Sequence, residues 1–155
     1  IPYSIIEPFI KKLTKENFDE LIMMMGKNYC MNAIDKKITY LSLMTNVFFN
    51  IEKIIDVPKE AFNPSPRVIS CLVRLTPKKE LTKTEELFQK IYNLDHKKCK
   101  NAIIESLIIR DNLTQKEAKE IVNRLNIDET ILNKPFSLIK NEELDTLYNK
   151  LLQNN

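Results

Sequence analysis

The sequence predicts a segment of an α/β sheet followed by a small all-helical domain. Three observations carry that prediction. Before Pro77 the apolar runs are short and bounded by Pro or Asn, whereas after it apolar residues recur at helical spacing. Leu21-Ile22-Met23-Met24-Met25 is a continuous apolar run stopped by Gly26, the pattern of a strand buried on both faces of a parallel sheet. Thr114-Gln115-Lys116-Glu117 has the form of a capping box, which opens a helix. The division falls between residues 1–77 and residues 78–155.

The elements follow in order. Phe9 to Leu13 and Tyr40 to Phe49 are apolar enough to form helices packed on the sheet. Ile51 to Val57 reads as a strand stopped by Pro58, which is suited to a first helical position and so begins one short turn through Phe62. Val68 to Leu75 alternates in part, is rich in β-branched residues and ends before Pro77. The closeness of these last two strands in sequence favours an antiparallel pair at a sheet edge. Thr84 is placed to cap a helix that runs to Asn93, and a second helix covers His96 to Ile109 with Cys99, Ala102, Ile103 and Leu107 on one face. The Thr114 helix buries Ala118, Ile121, Val122 and Leu125. Asn141 caps a last helix carrying Leu144, Leu147, Tyr148 and Leu151.

Composition narrows the chemistry. Hydrophobic residues make up 43% of the 155, enough for a core, and no apolar run approaches the roughly 20 residues that cross a bilayer. The single glycine excludes a dinucleotide or Walker-type loop in this chain, since each needs two or more. The chain opens on Ile1-Pro2-Tyr3 rather than Met and has no signal-peptide pattern, so it reads as a fragment of a cytoplasmic protein. A formal charge of +3 permits a nucleic-acid partner without demanding one. Cys30, Cys71 and Cys99 are too scattered for a metal site and read as three reduced thiols. The one histidine, His96, lies in a charged run rather than a pocket, so it reads as an exposed helix-end residue and not a general base. Glu85-Glu86 and Glu142-Glu143 sit in first helical turns, where the helix dipole accounts for them.

Two segments are harder to assign to packing alone. One is Ile1 to Pro8. The other is Glu60 to Ser70, in which Pro64 and Pro66 stiffen a loop that enters a strand. A ring held by such a loop loses little entropy when a base stacks on it, although a core phenylalanine beside a stiff turn gives the same pattern.

Phe62-x-Pro64-x-Pro66-x-Val68-x-Ser70 resembles the F-x-P-x-P-x-V-x-S signature of the ribosomal RNA adenine N6-dimethyltransferases, a family that includes the small-subunit rRNA dimethyltransferases and the erythromycin-resistance methyltransferases. Ile1-Pro2-Tyr3 resembles the end of their N-[LI]-P-Y motif, and Asp56 to Phe62 is similar to D-V-P-P-E-A-F. His96 to Ala102 looks like the R-R-K-x-x-x-N-x-L region, and Lys134-Pro135 through Leu147 resembles the closing R-P-x-x-L-S helix. The similarity covers nearly the whole chain, in the order of the family's second half.

The resemblance implies residues 1–77 as the latter part of a Rossmann-like methyltransferase sheet and residues 78–155 as a helical RNA-facing domain. It implies S-adenosylmethionine as cofactor, bound mainly by residues absent from this chain, and no metal. An adenine is extruded and its poorly nucleophilic exocyclic amine is held in line with the methyl group. By position the backbone of Ile1 or Pro2 would accept an amine N–H, while Tyr3 and Phe62 would pack on the base. Arg67, Lys97, Lys98 and Lys100 would meet RNA phosphates. The implied protein is a monomer that methylates adenine N6 in small-subunit rRNA, and this chain alone is expected to be inactive. Departures from the family pattern at Gly26-Lys27-Asn28, and lysines where the family has arginines near residue 97, motivate an alternative: a non-catalytic RNA- or ribosome-binding relative. A third reading, an unrelated helical interaction domain, expects no sheet in residues 1–70.

Overall fold

The computed structural model describes residues 3–154, without the side chain of Tyr3. It contains two compact units, one of residues 1–37 and 41–79, the other of residues 38–40 and 80–155.

The first unit is built on three strands: β1 (Leu21–Gly26), β2 (Phe49–Val57) and β3 (Ser70–Pro77). Their order is β1-β3-β2, and both pairings are antiparallel. In the central strand Cys71, Val73 and Leu75 have no exposed surface and alternate with partly exposed residues, the period of two that a strand imposes. Met25 and Met23 lie opposite Cys71 and Val73 and are buried with them. β2 carries an irregularity between Lys53 and Ile55, so that Ile54 is an extra residue and both isoleucines stay exposed. Helix α1 (Tyr3–Leu13) buries Ile6 and Ile10, one helical turn apart. Helix α2 (Lys27–Ile34) follows β1 directly and packs on all three strands.

The sheet overturns the third reading, an unrelated helical domain. It also corrects the expectation for β1. The Leu21–Met25 run is not covered on both faces of a parallel sheet: it pairs antiparallel to β3, and Ile22 on its second face is 47% exposed. The β2–β3 pair is antiparallel as expected, with β2 at an edge and β3 in the centre. Helix α2 escapes sequence reading because Asn28 and Asn32 lower its propensity and its buried residues are only Tyr29, Cys30 and Ala33. Cys30 on α2 and Cys71 on β3 are joined as a disulfide, so the expectation of three free thiols holds for Cys99 alone.

Helix α3 (Tyr40–Phe48) supplies Leu41, Leu43, Met44 and Val47 to the core. A buried polar chain ties it to α2. The Tyr29 hydroxyl donates to Thr45 Oγ1 (2.7 Å), which donates to the Leu41 carbonyl (2.9 Å). Each hydroxyl therefore enters the core with a partner.

In the second unit α4 (Lys83–Asn93), α5 (Cys99–Asp111), α6 (Gln115–Leu125), α7 (Glu129–Leu132) and α8 (Asn141–Gln153) surround Phe88, Ile91, Ile103, Leu107, Phe136, Leu144 and Leu147. The capping box at Thr114 is present, with Glu117 N–H donating to Thr114 Oγ1 (3.2 Å) and Thr114 N–H to Glu117 Oε2 (2.8 Å). Of the four residues expected inside α6, Ala118 and Val122 are buried, while Ile121 and Leu125 are half-buried. Helices α5 and α6 both end on asparagines in the left-handed region, Asn112 and Asn126, which do the work glycine usually does.

Two expected caps are corrected. Thr82, not Thr84, caps α4, because only Thr82 has a glutamate three residues on: Glu85 N–H donates to Thr82 Oγ1 and Thr82 N–H to Glu85 Oε1, both at 3.1 Å. Thr84 turns inward and is buried. At α8 the Lys140 N–H donates to Glu143 Oε1 (3.0 Å), while Asn141 Oδ1 accepts from the Tyr40 N–H (3.1 Å) instead of capping its own helix. Tyr40 also stands in an aromatic cluster with Tyr92 and Phe136, at centroid distances of 5.1 and 5.5 Å.

Burial pushes the Tyr29 phenol up to about 12, against a partial offset from its Thr45 hydrogen bond. The folded state thus holds this proton more tightly than the unfolded chain. Its contribution is complete below pH 10 and is lost as pH rises from 10 toward 12. Comparing melts of the parent and Tyr29→Phe at pH 9 and 11, the parent is expected to lose about 1 kcal/mol more than the variant.

Candidate functional site

After β2, Pro58 leads a single 3-10 turn (Lys59–Ala61), closed by Ala61 N–H donating to the Pro58 carbonyl (3.1 Å). Phe62 leaves that turn in extended geometry, followed by a cis Asn63–Pro64 peptide bond. The ring of Phe62 is half-buried, neither sealed in the core nor free in solvent. With Pro64, Pro66, Val68 and Ser70 it lines a pocket of about 270 Å³, completed by Met24 and Gly26 from β1. No titratable side chain lines it, and the volume is just below the about 300–1,000 Å³ of sites that enclose drug-sized molecules. A lining of this kind offers apolar contact rather than charge.

Met24 and Gly26 were not singled out by sequence reading as partners of Phe62. The signal was there in the alternation of β1, which puts both on the face opposite Met23 and Met25. Arg67 is exposed on the loop and does not line the pocket. Its neighbours Val68 and Ile69 are 56% and 39% exposed. Ile1 and Pro2 lie outside the described residues, as does the side chain of Tyr3.

Lys97, Lys98 and Lys100 are brought together in the helical unit by a backbone bridge. Cys99 N–H donates to the Lys134 carbonyl (2.8 Å) and Phe136 N–H to the Lys97 carbonyl (3.1 Å). This pairing of Lys98 with Pro135 holds the chain extended, which is why α5 starts at Cys99 and not at His96. The three lysines edge a groove of about 830 Å³ between α5 and α6. Its other residues include Asn101 and Ile104 of α5, Gln115 and Lys119 of α6, and Asn133. Lys97 Nζ donates to Glu105 Oε2 at 2.5 Å, so much of its charge is spent inside the molecule. Lys98, Lys100 and Lys119 form no ion pair among the described residues and carry the groove's unbalanced charge. Lys119 was missed in sequence, although the capping box at Thr114 sets α6 in register and puts Gln115 and Lys119 one turn apart. His96 is exposed in the turn before this bridge and does not line the groove.

Cys99, between Lys98 and Lys100 in the chain, is fully buried. Burial and the nearby Glu143 carboxylate push its thiol up to about 11. Glu143 itself is held below its ordinary range by the Lys134 ammonium at 2.6 Å and by the Lys140 N–H. Among the described residues no group of His, Cys, Asp and Glu could hold a metal ion, and no helix is long and apolar enough to cross a membrane.

Comparisons with known proteins agree with this architecture. A family model described as ribosomal RNA adenine dimethylase matches residues 1–143, and the chain belongs to that family. The probable ribosomal RNA small subunit methyltransferase A of Pyrococcus abyssi is 33% identical over 134 residues, covering 81% of this chain and 50% of its own length. The corresponding protein of Methanococcus vannielii is 30% identical, covering 99% of this chain and 61% of its own length. The chain therefore spans about half to three fifths of these relatives. A dimethyladenosine transferase from Plasmodium falciparum shares the fold, with a TM-score of 0.51 at 22% identity over 99% of this chain and 64% of that one.

Cys99 is expected to be inert, because its thiolate is disfavoured and its sulfur is sealed. A thiol-reactive dye at pH 8 should label it only after denaturant is added. Rapid labelling of Cys99 in the native protein would contradict this.

Proposed function

We propose that the protein of which this chain is part transfers methyl groups from S-adenosylmethionine to adenine N6 in small-subunit rRNA. In this reading the first unit supplies one wall of the base pocket and the second meets the RNA. The observation that carries it is the half-buried, proline-braced Phe62 ring on an apolar pocket sized for one ring system, in a chain of the adenine dimethylase family. An unpaired adenine loses its stacking partners when it leaves a helix. A ring-to-base contact returns about 1–3 kcal/mol of that loss. The prolines matter because they hold the ring in place before the base arrives, so less entropy is lost on binding.

S-adenosylmethionine supplies the methyl group when bound. The chain holds one glycine and no Gly-rich turn, and no carboxylate lines the Phe62 pocket, which supports a cofactor bound mainly by residues outside this chain. We assign its binding to the portion of the relatives' length that this chain does not span, and we derive no step through it. Ile1, Pro2 and Tyr3 belong, in this reading, to the opposite wall of the base slot, with backbone carbonyls that accept the amine.

For the helical unit, residues 78–155, the reading is contact with rRNA by shape and phosphate charge. Lys98 and Lys100 are its strongest elements, Lys97 a weaker one because Glu105 already holds it. Arg67 adds a cation on the loop beside the pocket. We place the protein in the cytoplasm, acting as a monomer on ribosomal particles.

Two measurements test the reading. In the full-length protein Phe62→Ala should lower tritiated-methyl transfer to unmethylated small ribosomal subunits by roughly 10- to 100-fold, the kinetic equivalent of a lost stacking contact. Its affinity for S-adenosylmethionine should be unchanged. Equal turnover by parent and variant would remove the stacking role. Changing Lys97, Lys98 and Lys100 together to Ala should weaken RNA binding and flatten its logarithmic salt dependence by about two charges. An unaltered salt slope would reduce these lysines to a solvated surface.

A further inference from the structure

The groove between α5 and α6 lies wholly within the second unit, and its two walls come from different helices. Helix α6 supplies one wall through Gln115 and Lys119, an i, i+4 pair held in register by the capping box at Thr114. The other carries Lys98, at the N-cap of α5, with Lys100 and Asn101 in its first turn. Lysines therefore stand on both walls, and Lys98, Lys100 and Lys119 form no ion pair among the described residues. The groove's one carboxylate, Glu105, is held by Lys97 Nζ and offsets that lysine alone. An apolar cover would strand three ammonium groups away from water, which is costly, so the groove suits an anionic occupant.

Charge alone does not single out that occupant, since ammonium groups only donate and any polyanion satisfies them. The uncharged polar groups do. Asn101 and Gln115 are exposed, one on each wall, and neither amide has a hydrogen-bond partner among the described residues. Asn133, which also lines the groove, gives its Nδ2 to the Glu129 carbonyl (3.0 Å) and to Glu129 Oε2 (3.2 Å), while its Oδ1 has no partner among the described residues. Each wall thus presents a carbonyl acceptor as well as N–H donors. A phosphate uses only the donors. A ribose 2′-hydroxyl donates and accepts, so it uses both, and it recurs at every nucleotide beside the phosphates.

We propose that this groove holds one strand of rRNA, with phosphates against Lys98, Lys100 and Lys119 and 2′-hydroxyls against the Asn101 and Gln115 amides. Gln115 and Lys119 are thereby RNA-binding residues on a second helix, and the two amides make the site selective for RNA over DNA. The inference rests on the reading of the helical unit as RNA-facing, and it adds the chemical group that is recognised there.

The test uses the full-length protein and two single-stranded probes of one sequence lacking uracil and thymine, an oligoribonucleotide and the matching oligodeoxyribonucleotide. The substituted side chains are exposed and the Thr114 box is left intact, so every variant should melt with the parent. A lowered melting temperature would show these side chains packed against protein and overturn the inference. Asn101→Ala combined with Gln115→Ala should weaken RNA binding roughly tenfold, as for two lost hydrogen bonds, while DNA binding stays parental. Lys119→Ala should weaken RNA and DNA binding alike and lower the logarithmic salt slope by about 0.7. Equal loss of RNA and DNA binding in the amide variant, or no loss, overturns the ribose contact. A parental salt slope in Lys119→Ala overturns the second wall, the result expected if an acidic protein segment fills the groove instead. Either failure stands alone when the combined Lys97, Lys98 and Lys100 variant still flattens the salt slope. Where that variant also keeps the parental slope, the RNA-facing reading falls together with this inference.

Discussion

The central strand β3 is the constraint on which the first unit depends. Cys71, Val73 and Leu75 are sealed, and the strand is hydrogen-bonded on both sides. A slip of one residue would turn those three outward and bring Leu72 and Arg74 in, so the register is strongly specified. Once it is set, the outward residues are set as well. Arg74 meets Glu20 at 2.9 Å and Glu52 at 3.4 Å. These exposed pairs add little energy, but they match the register that the core dictates. Ser70 is placed opposite Gly26 by the same register, and this brings the loop carrying Phe62 to the end of β1. The pocket is thus a consequence of the sheet's alternation and not of the loop alone.

In the helical unit a different device positions the charged groups. Helix α5 begins from a short backbone pairing between residues 97–99 and 134–136, with no side-chain cap. That pairing fixes the chain direction just where three lysines emerge. One of them is neutralised by Glu105, and the two others are joined across the groove by Lys119 from α6. The groove is basic because its ion pairs are incomplete, although the chain as a whole carries a formal charge of only +3.

Much of this was legible in the sequence where the signal is local. The Thr114 box needs only two residues three apart, and the structure shows both of its hydrogen bonds. The prolines around Phe62 announced a rigid loop, and the family resemblance they carried agrees with the match over residues 1–143. Errors arose where a local rule had two solutions. Thr82 and Thr84 both stand at the start of α4, and Glu85 reciprocates only with Thr82. Asn141 has the side chain of a cap, yet its carbonyl accepts from Tyr40, a residue 101 positions away. The Leu21–Met25 run reported burial without reporting which neighbours supply it, so a strand covered chiefly on one face was read as covered on both.

By itself the sequence determined the division of character near Pro77, the three strands, most of the helices and the stiff aromatic loop, because each is written in the spacing of neighbouring residues. Tertiary structure decided the antiparallel order β1-β3-β2, the joining of Cys30 to Cys71, the groove shared by Lys98, Lys100 and Lys119, and the presence of Met24 and Gly26 at Phe62. Those features bring together residues far apart in the chain. Periodicity says which face of an element is apolar, but only packing of the whole unit selects the partner that meets it.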